Sequence, residues 1–121
     1  MQYLKKDNIY IICRTTGSQN NILGIILSPK FKVKTKSSNS IEVIEWEFGD
    51  LKAKNKVKTS KQEVLDQVIE GLSVINLTLG TDYRLAKIFF SPLDSPANDV
   101  YVGLIAKLIR HYHNGNSFNE K

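Results

Sequence analysis

The side chains best suited to nucleophilic or metal chemistry are one cysteine and two histidines. Cys13 lies in an apolar run, whereas a reactive thiol needs an electropositive, partly exposed site, so we predict a buried, inert cysteine. His111 and His113 are two residues apart, which on a helix directs them about 200° apart around the axis. We therefore predict two surface histidines rather than ligands of one metal ion. Glycine-rich phosphate loops, GxSxG and HExxH do not occur, and we predict no metal, no cofactor and no small-molecule substrate.

The spacing of Asp50 and Lys52 is similar to the acid-x-lysine pattern of metal-dependent nucleases of the restriction-endonuclease type. Such a site needs two carboxylates that converge on Mg²⁺ and a lysine near the attacked phosphate. The upstream acids that could supply the second carboxylate are Glu42, Glu45 and Glu47. We expect these acids to be dispersed, because Asp50 falls in a tight turn and the later glutamates face lysines. We therefore assign no catalytic residue and rank a metal-dependent nuclease third among the functional hypotheses.

Lysines occupy every second position in two stretches, a period typical of one face of a β-strand. They are Lys30, Lys32, Lys34 and Lys36, and then Lys52, Lys54, Lys56 and Lys58. The candidate polyanion site, which would follow the phosphates of a nucleic acid, comprises Lys30, Lys32, Lys34, Lys52, Lys54 and Lys56. The same spacing suits a solvated sheet face that resists pairing with other chains. We favour the solvated face, because arginine is scarce and the aromatic residues are predicted to lie on the opposite face from the lysines. Nucleic-acid binding is the alternative.

The composition is that of one ordinary globular domain. The chain has 121 residues, 41% apolar and 24% charged, which excludes collagen-like and intrinsically disordered chains. One cysteine excludes a disulfide framework, and a net charge of +5 permits an anionic partner. The first residues are charged where a signal peptide is apolar, and no run approaches the ~20 apolar residues of a membrane span. We expect a soluble cytoplasmic protein without membrane binding, with one domain over 1–114 and a disordered polar tail over 115–121.

Apolar runs without a polar face predict the central strands. Runs 9–14 and 22–27 are separated by turn-forming residues at 16–21, which indicates a hairpin. Because neither face of these runs is polar, both strands are predicted to be central or covered on both sides. Residues 83–90 form a similar run that ends before Pro92, and we expect a further covered strand there.

Alternating residues between these runs predict a three-stranded meander over 30–36, 41–48 and 51–58, with a two-residue turn at Gly49 and Asp50. This register sorts apolar from charged side chains. The apolar face would comprise Phe31, Val33, Ile44, Trp46, Phe48 and Leu51, and the other face would hold Glu45 and Glu47, each between two lysines.

Two helices are predicted from their end signals and from apolar residues three and four apart. The first begins with a capping box at Ser60 and Glu63 and ends at Gly80. The second begins near Ser95-Pro96 and ends at His113. The core-facing positions are Val64, Leu65, Val68, Ile69, Leu72, Ile75 and Leu79 in the first, and Tyr101, Leu104, Ile105, Leu108 and Tyr112 in the second.

Together these elements predict a two-layer α+β domain of order ββββ(β)αβα, with a mainly antiparallel sheet and both helices packed on its apolar face. Strands that are apolar on both faces need a cover, which the second helix or a second copy of the chain could supply. The first functional hypothesis is therefore a small non-enzymatic binding or regulatory module. Its partner would be another protein or a second copy, and a polyanion binder is the second hypothesis.

Overall fold

Six strands and two helices make up the protein in the residues that the computed structural model describes, which are 1–16, 19–28, 41–45, 60–91 and 100–120. The strands are β1 (Gln2–Lys6), β2 (Ile9–Thr16), β3 (Gln19–Leu27), β4 (Glu42–Glu45), β5 (Leu85–Phe90) and β6 (Asn119–Glu120), and the helices are α1 (Lys61–Leu79) and α2 (Val100–His113). Both helices join the same buried core as one face of the sheet. The predicted α+β class is confirmed.

The strands form one mixed sheet in the order β4-β5-β3-β2-β1-β6. The three inner pairings are antiparallel, whereas β4 pairs parallel with β5, and β6 pairs parallel with β1. Parallel neighbours need a long crossover, and α1 supplies it between β4 and β5. The parallel pairs therefore lie at the two sides of an antiparallel centre.

The predicted hairpin of β2 and β3 is confirmed, and its strands are longer than expected. Their pairing continues to Thr16 and Gln19, so most of the predicted turn at 16–21 is strand. Continued ladder pairing overrides the local turn preference of these polar residues. Ile11 and Ile12 point to opposite faces of β2 and are 1% and 0% exposed, which agrees with a strand buried on both faces.

The sequence patterns missed β1, which pairs with β2 through a short turn. Asp7 in that turn has a φ of 56°, a left-handed conformation that aspartate tolerates better than most residues. Leu4 is the only buried residue of β1, and one buried residue among polar ones gives no alternating signal. The hairpin with β2, rather than a pattern of its own, makes this segment a strand.

The described part of the predicted meander is β4, and its orientation differs from the prediction. Val43 lies beside Ile88 and packs against the helical core, whereas Ile44 lies beside Phe89 on the other face. The prediction that Ile44 belongs to the helix-covered face is therefore wrong. The parallel pairing with β5 sets the register of β4, and no pattern in the sequence indicates that pairing. The rest of the meander, including Trp46 and the turn at Gly49 and Asp50, lies outside the described residues.

Both predicted ends of α1 are confirmed. The Ser60 hydroxyl oxygen accepts a hydrogen bond from the backbone N–H of Glu63 at 3.2 Å and donates to its carboxylate. Gly80 closes the helix in the left-handed conformation, with φ 67° and ψ 37°. The predicted start of α2 near Ser95 lies outside the described residues, and its predicted end at His113 is confirmed. Among the described residues, neither helix combines the length and the apolar run needed to cross a membrane.

The two helices run parallel and approach each other closely at Gly71. The Gln67 side chain accepts a hydrogen bond from the backbone N–H of Tyr101 at 3.0 Å, and one turn later in both helices Gly71 faces Ile105. A Cβ atom at position 71 would lie 2.4 Å from the Ile105 Cγ2 atom and 2.5 Å from the Val102 carbonyl oxygen. Only glycine fits between the helices at this separation.

We expect Gly71→Ala to lower the free energy of unfolding by about 1 to 3 kcal/mol, because the helices must separate to admit the methyl group. Helix propensity alone predicts the opposite sign. The matched control is Gly103→Ala in α2, where a Cβ meets nothing within 4 Å and alanine should add about 0.5 to 1 kcal/mol. Urea denaturation of both variants measures this, and equal stability of the two would contradict the close contact.

Candidate functional site

The last turn of α2 lies against the β1–β2 hairpin, where a cluster of rings gathers that we call the aromatic corner. Its members are Tyr3, Tyr10, Tyr83, His111, Tyr112, His113 and Phe118. Most of its ring pairs meet edge to face with centroids 4.8 to 6.2 Å apart. Such pairs contribute about 0.5 to 1.5 kcal/mol each beyond simple burial. The cluster therefore fixes the end of α2 on the hairpin.

His111 is held by a ring on one strand and by the backbone of the C-terminal segment. Its imidazole stacks on the Tyr3 ring with centroids 3.7 Å apart and an angle of 6° between the planes. Its Nε2 atom lies 2.7 Å from the carbonyl oxygen of Ser117. Because a carbonyl only accepts, Nε2 carries the hydrogen of this bond. His111 thus ties the segment after α2 to the hairpin.

The segment after α2 folds back on the aromatic corner. Gly115 has a φ of 71°, and the Asn116 N–H donates to the His111 carbonyl oxygen at 3.2 Å, which ends the helix and turns the chain. Phe118 then meets the Tyr10 ring at 5.0 Å, and β6 pairs with β1. One aromatic side chain and a short strand pairing therefore place residues 115–120 against the corner, and the disorder expected over 115–121 stays a prediction.

An open cavity of about 300 Å³ lies in the aromatic corner. Its lining residues are Lys5, Tyr10, Tyr112, Gly115, Asn116, Phe118 and Glu120. Three of these carry rings and two carry opposite charges, so the cavity offers apolar surface together with a cation and an anion. Its volume is at the lower end of the range of ligand sites, which suits one side chain better than a cofactor.

Lys5 and Tyr112 are the side chains of the cavity whose electrostatic surroundings are defined by the structure. The Lys5 ammonium lies 5.2 Å from the centre of the Tyr10 ring, within the range of a cation–π contact. Burial raises the pKa of the Tyr112 hydroxyl, and the nearby Tyr10 and Tyr83 hydroxyls raise it further. Tyr112 therefore stays protonated well into the alkaline range, where it can donate a hydrogen bond to an occupant of the cavity.

Tyr83 reaches the aromatic corner because Asn76 fixes the turn between α1 and β5. The Asn76 side chain donates to the Tyr83 carbonyl oxygen at 3.0 Å and accepts from the Tyr83 N–H at 3.0 Å and from the Thr81 hydroxyl at 2.8 Å. The Tyr83 hydroxyl in turn lies 2.9 Å from the Nδ1 atom of His113. One buttressed turn thus links the end of α1 to the end of α2.

Most of the sequence-predicted site residues lie outside the described residues. They are the polyanion-site residues Lys30, Lys32, Lys34, Lys52, Lys54 and Lys56, and Asp50 and Glu47 of the nuclease hypothesis. The described acids of that hypothesis do not converge, because Glu42 and Glu45 point to opposite faces of β4. Glu42 lies 3.7 Å from the Lys87 ammonium on β5, which is an exposed cross-strand ion pair.

Cys13 and His111 differ in burial from the prediction, whereas His113 is exposed as predicted. Cys13 is half-buried in β2 rather than fully buried. His111 is half-buried in the aromatic corner, and only His113 is exposed. Among the described residues, no three His, Cys, Asp or Glu side chains lie close enough to hold one metal ion.

Sequence reasoning missed the aromatic corner because its rings come from distant parts of the chain. Tyr3 and Phe118 lie near the two ends of the sequence, and no spacing rule connects them. Phe118 is the one available signal, since it is the only aromatic residue in an otherwise polar segment. Its ring packs against Tyr10 and His111.

Comparison with known proteins gave no matching family model, no matching curated protein and no matching solved structure. No functional assignment is therefore carried over from a relative. The function of the aromatic corner has to be inferred from its own side chains.

We expect Asn76→Ala to lower the free energy of unfolding by about 1 to 3 kcal/mol, because it leaves the backbone groups of Tyr83 without their partners. Thr78→Ala is the matched control. The Thr78 hydroxyl donates only to the Val74 carbonyl oxygen on the exposed side of the helix, so its loss should change stability by about 0.5 kcal/mol or less. Thermal unfolding of both variants tests this, and equal losses would show that the turn does not depend on Asn76.

The raised pKa of Tyr112 predicts a loss of stability at alkaline pH. The folded state holds the phenolic proton more tightly than the unfolded chain does. This stabilisation is complete below about pH 10, the ordinary tyrosine pKa, and is lost as the pH rises through the raised value. The free energy of unfolding should therefore fall less steeply above about pH 10 in Tyr112→Phe than in the wild type. Identical slopes in urea titrations across that range would contradict the assignment.

Proposed function

We propose that this protein is a small non-enzymatic module that binds a protein partner, and that the cavity of the aromatic corner receives a side chain of that partner. One observation carries the proposal: an open cavity of about 300 Å³ is lined by the rings of Tyr10, Tyr112 and Phe118 and by the charged groups of Lys5 and Glu120. This combination of side chains is typical of a recognition surface.

The chemistry of the cavity supports a protein ligand. Tyrosine and phenylalanine are enriched in the centres of protein interfaces, because rigid rings offer a large contact area at low entropic cost. Lys5 and Glu120 add a donor and an acceptor that could fix the orientation of a bound side chain. The Tyr112 hydroxyl adds a second donor.

The test is a selection of random peptides against the immobilised full chain, followed by calorimetric affinity measurement of the enriched peptides. We expect Lys5→Glu to weaken binding of these peptides by about tenfold, equivalent to about 1.4 kcal/mol, because it reverses the charge at the cavity. Circular dichroism and thermal unfolding establish that the variant is folded.

The matched control is Leu77→Ser on α1. Leu77 is 84% exposed and is the most exposed large apolar side chain of the described residues. Leu77 lies on an exposed surface away from the cavity where a partner could also dock. We expect its replacement to leave peptide affinity within about twofold of the wild-type value. A loss in Leu77→Ser with none in Lys5→Glu would move the site to α1.

Two further outcomes would overturn the proposal. If no peptide is enriched, but single-stranded DNA binds with an affinity that falls steeply with salt, the protein is a polyanion binder. If the mass in solution corresponds to a dimer that Lys5→Glu dissociates, the cavity is a contact between two copies and not a receptor for a different protein. Analytical ultracentrifugation of both forms measures the second outcome.

A further inference from the structure

The C-terminal residues 116–120, which we call the C-terminal strap, already occupy the aromatic corner as a peptide would. The strap extends the sheet, since β6 pairs parallel with β1 through Leu4 with Asn119 and Lys5 with Glu120. Its one ring, Phe118, meets Tyr10 at 5.0 Å and His111 at 4.8 Å. A strand pairing with one aromatic anchor is a common mode of peptide recognition at a sheet edge.

Few contacts hold the strap in place. Phe118 is its only half-buried residue, and the other four are exposed. Besides the strand pairing, two hydrogen bonds within the described residues hold the strap. The Asn116 N–H donates to the His111 carbonyl oxygen, and the His111 Nε2–H donates to the Ser117 carbonyl oxygen. A segment with so little buried surface opens locally at low cost compared with the core strands.

One lysine of β1 faces the strap. Lys5 lines the cavity together with Glu120, whereas Lys6, the other charged residue of β1, points to the opposite face of the sheet. Glu120 also lies opposite Lys5 in the strand register. The strap thus combines an aromatic anchor with an acidic residue beside a lysine.

We infer that the C-terminal strap is an internal placeholder, and that the partner of the aromatic corner is an extended acidic segment of another protein with one aromatic side chain. This inference rests on the proposed function. It adds the chemistry of the partner, and it makes displacement of the strap the step that opens the aromatic corner. The partner segment pairs with β1, places its ring where Phe118 lies and sets an acidic side chain against Lys5. The strap leaves the corner when the partner binds, so the side chains of the partner replace Phe118 and Glu120 in the lining of the cavity, and Lys5, Tyr10 and Tyr112 remain as the receptor surface.

The experiment uses a labelled synthetic peptide with the sequence of residues 114–120 and the full-length protein. Because the strap is tethered, it competes at an effective concentration on the order of millimolar. We expect Phe118→Ala, whose strap lacks its anchor, to bind the peptide at least about tenfold more tightly than the wild type does. The peptide in which alanine replaces the phenylalanine should not bind either protein. Fluorescence anisotropy measures all four affinities.

Ser117→Ala is the matched control, because it removes an exposed hydroxyl and keeps the carbonyl that bonds to His111. It should bind the peptide as weakly as the wild type. Equal affinities of Phe118→Ala and the wild type would overturn the inference. Binding of the alanine peptide to Phe118→Ala would also overturn it, since the aromatic side chain would then not be recognised.

Hydrogen exchange of the wild type gives a second measurement that does not depend on the folding of Phe118→Ala. At saturating concentrations of an acidic aromatic peptide, the amides of the strap should lose protection while those of β1 keep theirs. Unchanged protection of the strap would overturn the inference. If selected peptides bind the wild type and bind Phe118→Ala more weakly, Phe118 is part of the receptor surface, so the proposed function stands and the placeholder fails. If the strap peptide binds Phe118→Ala and no other peptide is ever enriched, the strap is displaceable but has no partner to make way for, and both the inference and the proposed function fail.

Discussion

The close approach of the two helices at Gly71 is the constraint on which the rest of the structure depends. A parallel pair of helices at this distance needs a position without a side chain, and Gly71 supplies it against Ile105. The contact sets the position of α2 along α1, and the hydrogen bond from Tyr101 to Gln67 holds the same alignment one turn earlier. Since α2 ends at the β1–β2 hairpin, the position of the aromatic corner follows from that alignment.

Features set by neighbouring residues were predictable from the sequence. The capping box at Ser60, the left-handed end at Gly80 and the hairpin of β2 and β3 each depend on side chains a few residues apart, and all three are present. Features set by distant residues were not predictable. The strand β6 exists because it pairs with β1, which lies far away in the sequence, and the orientation of Val43 follows from its parallel partner Ile88.

The candidate site belongs to the second group. Its rings come from the first strand, the turn that Asn76 buttresses, the end of α2 and the strap, and only the folded chain brings them together. Lysine periodicity was the most visible pattern in the sequence, but it falls on residues outside the described ranges. The lysine periodicity and the cavity therefore lie in different parts of the chain. The composition of the sequence does not indicate which of the two is the functional site.

The parallel pair of β1 and β6 also has a consequence for the order of folding. Contacts between residues near in sequence form early, because closing a short loop costs little entropy. The β1–β2–β3 meander is local, whereas the pair of Leu4 with Asn119 closes a loop that contains every other described element. This pair can form only after α2 has reached its place on the hairpin. Because a ribosome makes the chain from its N-terminus, this edge of β1 has no strand partner until residues 119 and 120 have been added.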